Sequence, residues 1–354
     1  MNVVQRMLHR PFFIKLFNWE YWSFAAIYIW IYPVWGFLCL RARSFFFFSA
    51  SNPSIKNGGF LNESKKDIAA IIPQAWHPKT VFFELPVNAD IVLKHLKREG
   101  LQFPLIGKPN VGGRGRGVKA LRDEKDVREY VQSAFLDFHI QEFVPYKNEV
   151  GIFYVRMPGQ EKGKISGIVR KEFLSVTGNG KSSIRELLLR DKRSIMYLAS
   201  LKNQQVELLD VVLPEGERQI VSPYGNHARG SKFLDDTHLA DEQLTAVIDE
   251  VCRQIPGFNF GRLDIRFDTW EALREGKRFA IIEVNGAGAE PTHMYDPRHS
   301  LFFAWKEIIR HWIILWRISR ANHKQGHRYL SFKEGVAMFK EHREWNQRLA
   351  AMKE

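Results

Sequence analysis

The chain has 354 residues, 45% of them hydrophobic and 26% charged, with 52 Lys and Arg against 39 Asp and Glu for a net charge of +13. That balance excludes a disordered, a collagen-like and a polytopic membrane protein, and the length leaves room for two or three domains. Two cysteines, Cys39 and Cys252, make neither a disulfide framework nor a CxxC pair, which points to a reducing compartment.

The charge is uneven. Residues 1–66 carry +6, residues 298–354 carry +7, and the stretch between them is neutral. The first end is also aromatic, with sixteen Phe, Trp or Tyr among residues 1–48. Basic, aromatic ends suit an anionic membrane surface. Nucleic acid is not expected as a partner, because no helix-turn-helix or zinc-ligand spacing accompanies the charge. Tyr21–Leu40 is twenty residues without a formal charge, long enough to cross a bilayer as a helix. Tyr, Trp, Ser and Pro33 dilute it, so a spanning helix, a re-entrant hairpin bent at Pro33 and a core helix all stay open. Arg41, Arg43 and the run Phe45–Phe48 then read as interfacial.

From residue 61 the pattern changes to short apolar runs alternating with amphipathic stretches, which predicts an α/β or α+β domain over 61–297. Strands are expected at Val81–Glu84, Phe103–Pro109, His139–Val144, Val150–Arg156, Ile165–Phe173, Gly261–Phe267 and Arg278–Val284. Helices are expected at Ala89–Gly100, Glu124–Phe135, Ser183–Arg190 and Asp241–Ile255. Short turns between strands favour mixed sheets over a purely parallel one. Beyond 297, Ser300–Arg320 reads as a basic, Trp-containing amphipathic helix that suits a membrane surface or the core, and Phe332–Leu349 as a charged covering helix.

Four stretches of the neutral middle carry chemistry. FPLIGKPNVGGRGRGVKAL (103–121) ends a strand at Lys108 and continues into a loop with Gly112, Gly113, Gly115 and Gly117. Such glycines let backbone N–H groups approach phosphate oxygens, and the lysine adds a point charge. HIQEFVPYKNEVGIFYVR (139–156) sets Glu142 and Glu149 about a turn at Pro145, where a carboxylate can accept ribose hydroxyls. GRLDIRFD (261–268) and FAIIEVNG (279–286) place Asp264, Glu283 and Asn285 on two successive strands, an oxygen set that suits Mg²⁺ shared with phosphates. Glu283 and Asn285, two apart, face the same side, and a carboxylate inside the apolar IIEV needs a partner. SPYGNHARGSKF (222–233) is a glycine-bounded loop with Asn226, His227 and Arg229.

In this order the pieces resemble the ATP-grasp superfamily of ATP-dependent carboxylate–amine ligases, over roughly residues 60–297. KPNVGGRGRGV and VTGNGKSSIRELL look closest to the cyanophycin-synthetase and glutathione-synthetase-like branches, and the seven-residue spacing of Glu142 and Glu149 to D-alanine–D-alanine ligases. The resemblance implies an α+β ATP-grasp fold, two mixed α/β subdomains clasping ATP, over 61–297, and composition sets it between a membrane-associating segment (1–60) and C-terminal helices (298–354). The resemblance also implies that Lys108, one of Lys65 and Lys66, and the loop Gly112, Gly113, Gly115 and Gly117 hold phosphates. Gln141, Glu142, Phe143 and Val144 would hold adenine and Glu149 the ribose. Asp264, Glu283 and Asn285 would bind Mg²⁺, with Mn²⁺ as a substitute, and Arg262 and Arg229 would face the reacting groups. The implied enzyme joins a carboxylate to an amine through an acyl phosphate; the basic, aromatic ends, and not the resemblance, point to the cytoplasmic face of a membrane and to a lipid-linked substrate. The alternatives are a soluble dimeric amino-acid ligase whose aromatic ends form the interface, and a kinase that stops at phosphorylating an alcohol. Sixty-odd aromatic, basic residues replace the folded α/β domain that usually precedes the grasp, which leaves both substrates unnamed.

Overall fold

A computed structural model describes residues 10–113, 115–201, 206–222, 225, 227 and 230–350. Eleven strands follow in chain order: β1 (Thr80–Phe83), β2 (Leu105–Pro109), β3 (Lys119–Leu121), β4 (Phe138–Glu142), β5 (Asn148–Val155), β6 (Lys164–Glu172), β7 (Leu174–Thr177), β8 (Arg218–Ser222), β9 (Lys232–Asp235), β10 (Phe260–Phe267) and β11 (Phe279–Asn285). The chain divides into a larger unit (34–168, 236–291 and 308–354) and a smaller one (1–33, 169–235 and 292–307).

The larger unit holds two sheets. The first has the order β1-β4-β2-β3, with antiparallel pairing throughout. Alternation along β2 buries Leu105, Gly107 and Pro109 on one face and leaves Ile106 and Lys108 on the other. Helices Ala89–Arg98 and Glu124–Ser133 cover the buried face through Val92, Leu96, Val127 and Tyr130. Each helix starts where a side chain satisfies an orphan N–H: Asn88 accepts from Asp90 N at 2.8 Å and Asp123 from Asp126 N at 2.9 Å. Gly107 is required here, because a Cβ would lie 2.9 Å from the Tyr130 ring.

The second sheet runs β11-β10-β5-β6. Leu263, Ile265 and Phe267 of β10 and Val150, Ile152 and Tyr154 of β5 pack on Leu244, Ile248, Val251 and Cys252 of helix Glu242–Gln254. The register puts Glu283 opposite Asp264, Asn285 opposite Arg262, and Arg266 opposite Glu149. One face of three strands therefore collects all the charge while the other is apolar.

The segment before residue 61 is not a free appendage of this unit. Phe46, Phe47 and Phe48, read above as interfacial, are buried with Phe153, Phe260, Leu315 and Ile318, and Phe45 alone of that run is exposed. A phenylalanine run satisfies a core as readily as an interface, and helices Leu301–Lys324 and Phe332–Ala350 supply the facing side chains. Asn52, fully buried, binds four backbone groups: it donates to Gly58 O and Phe260 O and accepts from Asn259 N and Phe260 N, all at 2.8–3.0 Å. Gly58 and Gly59, both at positive φ, accept hydrogen bonds from Ala287 N and Gly288 N at 2.9 Å. A Cβ at Gly59 would sit 2.7 Å from Gly286 Cα, so glycine is needed for this close approach.

In the smaller unit, β6 continues past Ile168 to pair with β9, and β7 pairs with β8, both antiparallel. Leu174, Ile184, Leu188, Leu209 and Val221 form its core. The apolar stretch Tyr21–Leu40 is no single helix. It holds helix Phe24–Tyr28, started by the Ser23 cap, and then helix Tyr32–Ala42, with Pro33 in its first turn where a missing N–H costs nothing. Among the described residues no helix is long and apolar enough to cross a membrane.

Candidate nucleotide and metal site

The polar faces of both sheets of the larger unit carry the residues singled out from sequence. Lys108 Nζ donates to Gln141 Oε1 at 2.7 Å and reaches Ile282 O at 3.5 Å, one residue before Glu283. Burial pushes its ammonium down from the ordinary 10.5 to about 8, with Glu283 and Glu149 opposing that fall and Lys65 adding to it. A lysine in that state is poised to gain an anionic ligand.

The structure separates the two adjacent lysines. Asn110, at the end of β2, accepts from Lys66 N at 2.9 Å and so fixes the start of helix Lys65–Ile71 beside the glycine loop. Lys65 Nζ then donates to Gly112 O at 2.7 Å, whereas Lys66 pairs with Glu84 at 2.8 Å, both half-exposed or more. The loop itself is open: Gly112, Gly115 and Gly117 have positive φ, and a Cβ on Gly113 would meet nothing. At the end of β4, Gln141 is buried and Glu142 exposed, and just past the strand Phe143 is exposed and Val144 half-buried. The Glu142 N–H donates to Lys79 O at 2.8 Å.

On the charged face of the second sheet, Arg262 Nε donates to Asp264 Oδ1 at 2.8 Å, and Arg266 pairs with the buried Glu149 at 2.9 Å. Among the described residues no group of three His, Cys, Asp or Glu is placed to hold a metal. The third donor beside Asp264 and Glu283 is the Asn285 carboxamide, whose Nδ2 is buried without a hydrogen-bond partner. Two carboxylates and a carboxamide Oδ1 are the kind of hard oxygen set a divalent cation takes, and the partnerless Nδ2, a hydrogen-bond donor, is no part of that set. Arg229, and with it Asn226, lies outside the described residues.

Three residues here carry no sequence motif. Burial raises the Glu63 carboxyl, with Lys65 opposing and Glu283 reinforcing the shift. His77 lies 3.5 Å from Gln141 and is pushed down to about 4 by burial and by Lys108, so it is neutral at pH 7. His139, opposite Lys108 in the β2–β4 register, is held well below its usual range by burial first and then by Lys108 and Lys65, and its buried Nδ1 has no partner. Two neutral imidazoles beside a buried ammonium keep the site from accumulating positive charge before a ligand arrives.

The Lys108 shift gives a pH dependence with a definite sign. The phosphate-binding form is the ammonium, and it is lost as pH rises through about 8. ATP affinity is therefore expected to be level below that value and to fall above it by up to about tenfold per pH unit. Calorimetric titrations at several pH values check this, and a level profile up to pH 10 would contradict it.

No family model matches the chain, and no curated protein does. Solved structures do. A bifunctional glutathione synthetase from Pasteurella multocida aligns over 74% of this chain and 38% of its own, at 13% identity and a TM-score of 0.38. The VanG D-Ala:D-Ser ligase from Enterococcus faecalis aligns over 72% and 61%, at 14% identity and 0.39. The D-alanine–D-alanine ligase from Bacillus anthracis aligns over 74% and 69%, at 13% identity and 0.39. The chain spans well under two thirds of the first and just under that share of the second.

Proposed function

We propose that the chain is an ATP- and Mg²⁺-dependent carboxylate–amine ligase of the ATP-grasp type, working through an acyl phosphate at a membrane surface on a lipid-linked substrate. The observation that carries the reading is that Lys108 Nζ donates to Gln141 Oε1 at 2.7 Å and reaches Ile282 O, next to Glu283, at 3.5 Å, while Lys65 Nζ donates to Gly112 O of the glycine loop at 2.7 Å. In this reading Lys65, Lys108 and the open glycine loop bind the phosphates, Gln141–Val144 take the base, and Asp264, Glu283 and Asn285 hold the cation. The cation supplies charge neutralisation on the phosphates. Lys108 and Arg262 stabilise the charge that builds as the γ-phosphoryl moves to a carboxylate oxygen; an amine then displaces phosphate to form the amide. Glu149 serves the ribose only by sharing its carboxylate with Arg266. The basic, aromatic ends support the membrane part.

Hydroxylamine trapping tests the reaction class. Incubated with Mg-ATP, hydroxylamine and either the aqueous or the lipid extract of cells, the protein should form ADP together with a hydroxamate. ADP without hydroxamate would replace ligation by phosphorylation of an alcohol, and no ATP consumption with either extract would overturn the reading.

A further inference from the structure

We infer that residues 10–32 of the smaller unit, with Phe302, form a docking surface for an anionic lipid bilayer, which deepens the membrane part of the function proposed above by naming the surface. Helix Pro11–Phe17 turns Ile14 inward and leaves Phe12 and Phe17 69% exposed. Further along the segment Ile29 is 60% and Trp30 70% exposed, and Phe302, from the same unit, is 77% exposed. So many large apolar side chains in one short stretch exceed the scattered exposure of an ordinary surface.

Charge selects the occupant. Between residues 10 and 33 the acidic side chain is Glu20, and it is withdrawn: it pairs with Arg193 and lies 3.3 Å from His227 Nε2, with its side chain 12% exposed. The exposed charges of the stretch are then Arg10 and Lys15, both positive. Basic side chains among Phe, Trp and Ile complement anionic headgroups over an acyl boundary. No helix of the described residues spans a bilayer, so the contact is one of lying on the surface.

The surface is held firmly by its own unit. Trp19 Nε1 donates to His299 O at 3.0 Å and its ring stacks on Tyr295 at 5.5 Å. Trp22 Nε1 donates to Lys15 O at 2.9 Å, and Trp305 Nε1 to Ile27 O at 2.8 Å. Through Glu20 the segment also grips His227, in the 222–233 stretch whose Arg229 the resemblance sets facing the reacting groups. A bilayer bound by this surface therefore meets a segment that is already tied to that stretch.

Flotation of the full chain with vesicles of phosphatidylcholine, or of phosphatidylcholine with phosphatidylglycerol, tests the assignment. The expected result is binding to the anionic vesicles only, reduced at least about tenfold by Phe12→Ser combined with Phe17→Ser and by Lys15→Glu. Phe135→Ser, an exposed aromatic of the larger unit, should leave binding unchanged. Undiminished binding by the double variant would overturn this surface while leaving membrane attachment in place. If the wild type ignored both vesicle types and sedimented as a dimer that the double variant disperses, the face would belong to a second copy and the inference would fail. Mg-ATP binding measured on the same samples reports on the ligase reading separately.

Discussion

Replacing Glu283 by glutamine should lower ATP turnover by about a thousandfold, with little change in thermal stability. Glu283 lies opposite Asp264 on the charged face of β10 and β11, and its carboxylate is among the groups that favour the Lys108 ammonium. The isosteric amide removes one hard ligand and at the same time lets Lys108 fall further below about 8. Loss of metal-centred charge stabilisation costs several kcal/mol of barrier, and a thousandfold corresponds to about 4 kcal/mol. Because Glu283 is only half-buried and its neighbours stay in place, the fold has no reason to yield. A steady-state ADP assay with a melting curve checks both halves. Unchanged turnover would remove Glu283 from the site.

Lys108→Met should be almost as damaging to turnover, by about 10²–10³-fold, the usual cost of deleting one electrostatic stabiliser. Its effect on stability has the opposite sign. Below about pH 8 the folded protein keeps a buried ammonium that burial disfavours. Between about 8 and the ordinary 10.5 the unfolded chain binds the extra proton, so wild-type stability rises with pH across that window. Methionine fills a similar volume without the charge, so the variant should melt no lower than wild type at pH 7 and lose the rise above pH 8. A variant that melted lower would show that Lys108 pays its way structurally and not through a ligand.

Much of this site was legible in the sequence because its chemistry sits at strand ends. A lysine closing an apolar run, glycines at short spacing and carboxylates inside IIEV and RLDI are each marked by a break in hydrophobic pattern, and β2, β10 and β11 fall within a residue or two of where that pattern put them. Lys65 and Lys66 were not separable, since adjacent residues on a helix differ by about 100° of rotation and only Asn110 fixes which one faces the loop. Glu63, His77 and His139 gave no signal because their meaning lies in burial next to Lys108, a distance in space and not along the chain. Of the strands that the pattern does not mark, β3 has only three residues, too few to show a period. The Phe45–Phe48 run misled for a related reason: composition records that a side chain is apolar, and only the partners from helices Leu301–Lys324 and Phe332–Ala350 decide that three of the four are core.

The central claim is that Lys65, Lys108 and the carboxylates of β10 and β11 form a site for Mg-ATP. Isothermal titration of the full chain with Mg-ATP tests it most directly, run beside Lys108→Met and Lys66→Met. The expected result is one saturable site in the wild type, at least about tenfold weaker with Lys108→Met and unaltered with Lys66→Met, whose ammonium is engaged by Glu84. Absence of Mg-ATP binding by the folded wild type, or equal binding by Lys108→Met, would contradict the account.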